Sequence, residues 1–531
     1  MAKMFNEFPF LAGLNASQVA IIAISIFFVR VVFLVVYRLC FHPLRGIPGP
    51  KLAAVTFWYE FYYDCIQRGQ YVFKIEQLHK QYGNIVRINP SEVHFADPDF
   101  FNEIYCGANK KRTKWEWMTS GLFINHSIFG TVPHDLHRER RAAVSSLFSK
   151  AQVRRQQGDI QERVDTMLER LKIAGENGKI IDLKVAFPAF TADVAMNFAY
   201  GEGDDKLNTP DFDPNFALSV ERGLNSLSLM NHLPWLGYPI LLLRYAPERL
   251  ILKLRMTSFM AAQKNIGKQA RRIMSEQNTS EKARPTIFQQ IMASKLPPSE
   301  KTYLRLVQDA GLVISAGTVS TAWALTVGTF HLLSEPEALQ KLQAELLEVI
   351  PNRSVSANVV ELEKLPYLAA VIQESLRLSV GGSHRSQRIS PDEATIFTDR
   401  GTNKMWSIPS GTPMSMSHLL LFRDERIFPS HEKFRPERWL NNPAMERYQF
   451  AWSKGTRNCL GMNLAMAEIL LMFAGIFRNF ESGVGLRIED SIGRIELFET
   501  DVSDVETVGD GGVPLQKPGS KGVRVRVLGR T

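Results

Sequence analysis

Cys459 stands in surroundings built for a reactive sulfur. The run Trp452-Ser453-Lys454-Gly455-Thr456-Arg457-Asn458-Cys459-Leu460-Gly461 leads into an apolar helical stretch from Asn463 to Phe480. Glycines four residues before and two after the cysteine let the backbone fold around a sulfur. Amides at the start of the following helix can donate to a thiolate, which suits a deprotonated, metal-ligating cysteine. An inert buried cysteine beside a turn would explain one glycine, but not the glycines, arginine and helix together. The other cysteines, Cys40, Cys65 and Cys106, form no CxxC pair and no framework spacing. Neither a disulfide scaffold nor a structural cysteine–zinc site follows from them.

A second chemical signal is the small-residue patch Ser315-Ala316-Gly317-Thr318. It lies inside a proline-free stretch, Tyr303 to Leu333, that carries charge only at Arg305 and Asp309 early on. A helix apolar all round runs through the middle of a large protein. A glycine within it lowers stability by roughly 1 kcal/mol. Its use is therefore either to let a ligand approach the backbone or to let a second helix pack closely, and both uses remain open.

The cysteine run resembles the loop Phe-x-x-Gly-x-Arg-x-Cys-x-Gly of the cytochrome P450 haem-thiolate monooxygenases. It matches at Gly455, Arg457, Cys459 and Gly461 and carries Trp452 where phenylalanine is usual. Other landmarks of that family follow in order. Glu374-Ser375-Leu376-Arg377 resembles the Glu-x-x-Arg of helix K, and Arg438, in Phe434-Arg435-Pro436-Glu437-Arg438-Trp439, resembles the third member of its buried ion-pair triad. Glu432/Arg435 has the same Glu-x-x-Arg spacing, so the pattern gains weight only from its place upstream of Cys459. His137 and Arg141 resemble the Trp-x-x-x-Arg of helix C with histidine substituted. Four residues apart, they share a helix face from which both can donate to a haem propionate. Arg385 and Arg457 resemble further propionate partners. Ala316-Gly317-Thr318-Val319-Ser320-Thr321 resembles the oxygen-binding groove of helix I, but Val319 replaces the usual acid and Ser320 the following threonine. Ser320 keeps a hydroxyl. The nearest upstream acid, Asp309, lies about 15 Å along the axis from Val319 and cannot replace the missing carboxylate.

The resemblance implies a mainly α fold with small β-sheets and a haem b (iron protoporphyrin IX) ligated by Cys459. Gly317, Ser320 and Thr321 would lie at the oxygen site. It further implies electrons from NADPH through an NADPH–cytochrome P450 reductase, with cytochrome b5 as an optional second donor, and an apolar small-molecule substrate. Phe57-Trp58-Tyr59-Glu60-Phe61-Tyr62-Tyr63, Arg87-Ile88-Asn89-Pro90, Lys114-Trp115-Glu116-Trp117 and Ser415-Met416-Ser417 look most like the fungal trichodiene oxygenase-like branch, which oxidises terpenoids and related secondary metabolites. Hydroxylation or epoxidation is the implied reaction. An isomerase or cyclase that needs no reductant, and a non-catalytic haem-containing carrier, are alternatives compatible with Val319.

These groups need a scaffold, and the chain supplies a large one. It has 531 residues, 45% of them hydrophobic and 22% charged, and no composition shift divides residues 53–531, which read as one haem-binding domain. The net charge is +9, yet no run of five or more Lys/Arg marks a nucleic-acid arm. Such a surface favours anionic membranes and an acidic protein partner, Lys454 being one candidate for docking the reductase. Val19 to Tyr37 is apolar except for Ser25 and Arg30, long enough to cross a membrane. Its many Val, Ile, Leu and Phe side chains, at about −0.3 to −0.6 kcal/mol each, outweigh one arginine at about +2.5 to +3.5 kcal/mol. Arg38, Arg45 and Lys51 follow the span and only Lys3 precedes it. The positive-inside rule then leaves residues 1–42 as a lumenal stub and anchor, with the body cytosolic. This is a single-pass arrangement of the endoplasmic reticulum type. Residues 43–52, with Ile47-Pro48-Gly49-Pro50, read as a stiff hinge. Short strands are expected near Ile85–Ile88 and Val523–Val527. Ser334-Glu335-Pro336-Glu337 has capping-box spacing ahead of a helix that buries Leu339, Leu342, Leu346 and Val349.

Overall fold

The computed structural model describes residues 15–201, 204–237, 242, 248–253, 257–275, 286–353, 355 and 358–529. Lys3 and the rest of residues 1–14 lie outside the described residues. Helix α1, Ala16–Val36, starts with reciprocal hydrogen bonds between Asn15 and Gln18 and buries none of its side chains. With the π-turn Tyr37–Phe41 it forms a 26-residue apolar rod long enough to span a membrane. The hinge that follows is docked rather than free. Pro48 accepts a hydrogen bond from the Arg87 amide at 2.7 Å, and a Cβ on Gly49 would stand 2.4 Å from the Arg87 carbonyl.

The body is helical. Its principal helices are α2 (His134–Ser145), α3 (Gln157–Glu176), α4 (Leu183–Tyr200), α5 (Pro214–Asn225), α6 (Leu227–His232), α7 (Tyr303–Ser334), α8 (Pro336–Val349), α9 (Pro366–Ser379) and α10 (Met462–Asn479). Two of these, α7 and α10, are also apolar enough to span a membrane, but more than half of each apolar window is buried inside the protein, so they are core helices. α7 packs along α4 and against α9 and α10, as its all-round apolar sequence requires.

Two four-stranded sheets flank the helices. The strands are β1 (Ile85–Arg87), β2 (Val93–Phe95), β3 (Ile180–Asp182), β4 (Arg388–Ile389), β5 (Pro413–Ser415), β6 (Phe480–Glu481), β7 (Gly493–Leu497) and β8 (Arg524–Gly529). One sheet runs β1-β2-β5-β4 and the other β3-β8-β7-β6, with β2/β5 and β6/β7 parallel. Both expected strands are present, in β1 and β8.

The capping box at Ser334 is not. Ser334 belongs to the last turn of α7, where its hydroxyl donates to the Phe330 carbonyl at 2.9 Å. Glu335 takes the N-cap position of α8 without a side-chain bond, and Pro336 begins the helix because a missing N–H costs nothing there. Leu339, Leu342 and Leu346 are fully buried, as their spacing predicts.

Candidate functional site

The cysteine loop is a tight wrap closed at both ends. The Cys459 amide donates to the Trp452 carbonyl at 2.9 Å, and a 3-10 turn occupies Gly455–Arg457. Gly455 has φ +74, and a Cβ there would lie 2.0 Å from the Cys106 carbonyl oxygen, so only glycine fits. Burial pushes the Cys459 thiol up, while amides of Gly461 and Met462 and the charge of Arg141 pull it down. The Cys459 side chain is nonetheless accessible.

Around this loop, five basic side chains converge without a carboxylate. Arg141 of α2 forks onto Asn458, meeting its carbonyl and its Oδ1 at 2.7 Å each. Arg457 donates to the carbonyls of Thr131 and Val132, each at 2.7 Å. Lys114, 3% exposed, donates to the Phe129 carbonyl at 2.6 Å. Arg388 of β4 is also 3% exposed, donates to Ser386 and the Gln387 carbonyl, and lies over the Tyr105 ring. His137 is buried on the face of α2 that carries Arg141. Burial, then Arg457, Lys114, Arg141 and Arg388, push His137 down to about 2. Burial with Arg388 and Arg457 likewise lowers Lys114, and burial with Arg388 and Arg141 lowers Arg457 to about 9. Among the described residues no ion pair relieves any of these four cations.

Apart from that cluster, a buried carboxylate ties α9 to the segment 422–439. Glu374 in α9 accepts two bonds from Arg377 at 2.8 Å, one from Arg438 at 3.0 Å, one from the Trp439 indole at 2.8 Å and one from the Arg435 amide at 2.8 Å. Burial opposes its charge, but the two arginines outweigh burial and hold it below the usual carboxylate range. Arg377 completes its shell on the carbonyls of Phe422, His431 and Lys433.

Halfway along α7 the otherwise buried helix opens. Ala316 is exposed and Ser320 partly so, and the Ser320 hydroxyl donates to the Ala316 carbonyl at 2.8 Å. Val319, Ser320 and Trp323 wall a cavity with Pro188, Ala217 and Val513. Lys184 spans one side of it, 3.2 Å from Glu221 and 2.7 Å from Gln516.

Residues 48–489 match the family described as Cytochrome P450. The chain belongs to the cytochrome P450 family. It is 42% identical over 518 residues to cytochrome P450 monooxygenase tpcC of Cochliobolus heterostrophus, covering 97% of this chain and 98% of that one. It is 41% identical over 500 residues to cytochrome P450 monooxygenase astB of Talaromyces wortmannii, covering 92% and 94%. With tryptophan 6-hydroxylase fscE of Fusarium equiseti it shares 37% identity over 516 residues, covering 95% and 96%. The protein is a P450 monooxygenase, a class whose cofactor is haem b.

The residues fit that group. Four cations without a carboxylate partner among the described residues, Lys114 and Arg388 buried and Arg141 and Arg457 half-buried, are unfavourable beside one another but complementary to an anionic porphyrin with two propionates. Cys459 would hold the iron through its sulfur, and Lys114, Arg141, Arg388 and Arg457, with His137, would hold the propionates. When bound, the haem supplies oxygen activation favoured by thiolate donation.

The P450 structure also shows where sequence reasoning went astray. Arg385, expected among the propionate partners, is fully buried and paired with Glu60 at 2.5 Å and Glu92 at 3.3 Å. Its charge is already balanced, and Arg388, three residues later, takes the place beside Lys114 and Arg457. Gly317 faces α4, where an added Cβ would lie 3.1 Å from Ala195, so the glycine serves helix packing. Thr321 is buried in the core, outside the cavity wall that holds Ser320. Asp309 is bound to Arg305 and to the Ile128 amide, at 3.3 and 2.7 Å, which leaves it no role near Val319. Lys114 and Arg388 went unassigned because nothing in their local sequence separates them from other basic residues.

Proposed function

We propose that this P450 oxidises an apolar secondary-metabolite intermediate of the terpenoid kind, by hydroxylation or epoxidation, at the cytosolic face of the endoplasmic reticulum. Electrons would come from NADPH through its reductase. The observation that carries the haem assignment is the carboxylate-free convergence of Lys114, Arg141, Arg388 and Arg457 around the Cys459 loop. Support for the substrate class comes from the apolar cavity wall of Pro188, Ala217, Val319, Trp323 and Val513.

Each residue then has a physical task. The amides of Gly461 and Met462 stabilise the sulfur's negative charge. The Glu374–Arg377–Arg438 cluster ties α9 to the segment 422–439. Ser320 offers the hydroxyl at the cavity through which a proton can pass, and Val319 places an apolar surface where a carboxylate would otherwise stand. A water chain must therefore bring protons to Ser320. Lys454, which donates to the Arg447 carbonyl at 2.6 Å, lies on the loop's surface where an acidic reductase could dock.

The test is turnover of candidate terpenoids by microsomal protein with reductase, NADPH and isotopically labelled dioxygen. One labelled oxygen per product, dependent on NADPH, is the expected result. Product formed without NADPH and without label would replace this proposal with an isomerase or cyclase.

A further inference from the structure

Away from the cysteine loop lies a second group of ligating side chains. Glu60, Asp64 and His232 each present a ligand atom within 4.8 Å of the others. Glu60 and Asp64 are four residues apart on the helical segment Trp58–Ile66, so they share a face. His232 closes α6 and is held edge-on by Phe61 and Trp117, with ring centroids 5.5 and 5.2 Å away.

Two observations indicate that something binds between them. Asp64 is 7% exposed, and among the described residues no donor is seen on its carboxylate, which leaves its oxygens open to a cation. Nε2 of His232 likewise has no partner. Glu60, by contrast, is oriented from behind by Asn89 at 2.8 Å and Arg385 at 2.5 Å, as the outer shell of a metal site orients its ligands.

The local charge points the same way. Glu60, Asp64, Glu92 and Asp510 are all buried, and among the described residues the cations set against them are Arg385 and His384, the latter 3.3 Å from Asp510. Four acids against two cations make a cluster in which one divalent ion can take the place of protons. Imidazole with two carboxylates is a donor set for a first-row divalent metal, zinc above the harder magnesium and calcium.

We propose that Glu60, Asp64 and His232 form a binding site for a structural divalent metal ion of the zinc class, separate from the haem. The ion joins the segment that follows the membrane anchor to α6 and, through Arg385, to the chain beyond α9. It takes no part in oxidation.

Full-length, haem-loaded protein, stripped with chelator, is dialysed to equilibrium against zinc chloride, and zinc per chain is measured by plasma mass spectrometry. One zinc per chain is expected, with a rise in thermal midpoint. Asp64→Asn and His232→Phe should each weaken zinc binding at least about tenfold, the lower end of what even outer-shell changes cost. Their carbon monoxide difference spectra should be unchanged. Phenylalanine preserves the contacts with Phe61 and Trp117, and His232 is partly exposed, so His232→Phe decides the matter alone if Asp64→Asn fails to fold. No stoichiometric zinc in the wild type would overturn the proposal and leave Asp64 a protonated acid in an ionic cluster. Zinc undiminished in a folded His232→Phe protein would overturn it equally.

Discussion

Replacing Arg388 by methionine keeps the length of the stem and removes the charge. In the structure this guanidinium is 3% exposed, lies among Lys114, Arg457 and His137, and meets no carboxylate among the described residues. A buried, uncompensated ion destabilises the haem-free fold, and the loss of one should therefore raise the urea midpoint of haem-stripped protein. With haem present the sign reverses. One charge-assisted bond to a propionate contributes about 1.5 to 3 kcal/mol, which at 1.36 kcal/mol per decade is roughly a ten- to hundredfold faster loss of haem. Haem release is read by transfer to excess apomyoglobin, and apo stability by circular dichroism in urea. Equal destabilisation of both forms, with haem release unchanged, would refute the reasoning and make Arg388 an ordinary structural arginine.

Three further outcomes follow from the same geometry. Glu374→Gln leaves Arg377 and Arg438 facing a neutral amide, and should cost about 3 to 5 kcal/mol, a large part of the typical total; the yield of soluble haem-loaded protein should collapse. Gly455→Ala forces a Cβ toward the Cys106 carbonyl at 2.0 Å and should abolish the thiolate-ligated spectrum while leaving secondary structure by circular dichroism near wild type. In haem-stripped protein His137 stays neutral down to about pH 2, whereas unfolded histidine takes up a proton near 6.5. Below pH 6.5 the unfolded chain therefore binds the extra proton, and this contribution to stability is lost progressively as the pH falls. His137→Phe should lessen that acid decline, as followed by denaturant titration from pH 7 to 4.

The chemistry was legible where it is local. The loop around Cys459 carries its meaning in a few consecutive residues, because turns are short-range objects, and it lends weight to the Glu374–Arg377 pair upstream, whose spacing alone recurs at Glu432/Arg435. The propionate cluster is not local. Arg141 and Arg457 were legible through the motifs around them, but Lys114 and Arg388 lie far apart in the chain, and only tertiary packing distinguishes them from solvated basic residues. Arg385 misled for the same reason, since its partners Glu60 and Glu92 lie 325 and 293 residues earlier. Gly317 shows the limit of reading a small residue. Its two possible uses, ligand approach and helix packing, give the same sequence, and Ala195 on α4 decides between them. At Ser334 the capping-box spacing was met by accident, because α7 runs on to that residue and its hydroxyl bonds back to Phe330.

The central claim is that Cys459 holds a haem iron through its sulfur. The most direct measurement is the carbon monoxide difference spectrum of the dithionite-reduced microsomal protein, recorded beside Cys459→Ala. A Soret band at the red-shifted position of thiolate-ligated haem, absent from the variant, is the predicted result. A folded, haem-replete protein whose spectrum resembles that of histidine-ligated haem and is unchanged by the substitution would contradict it.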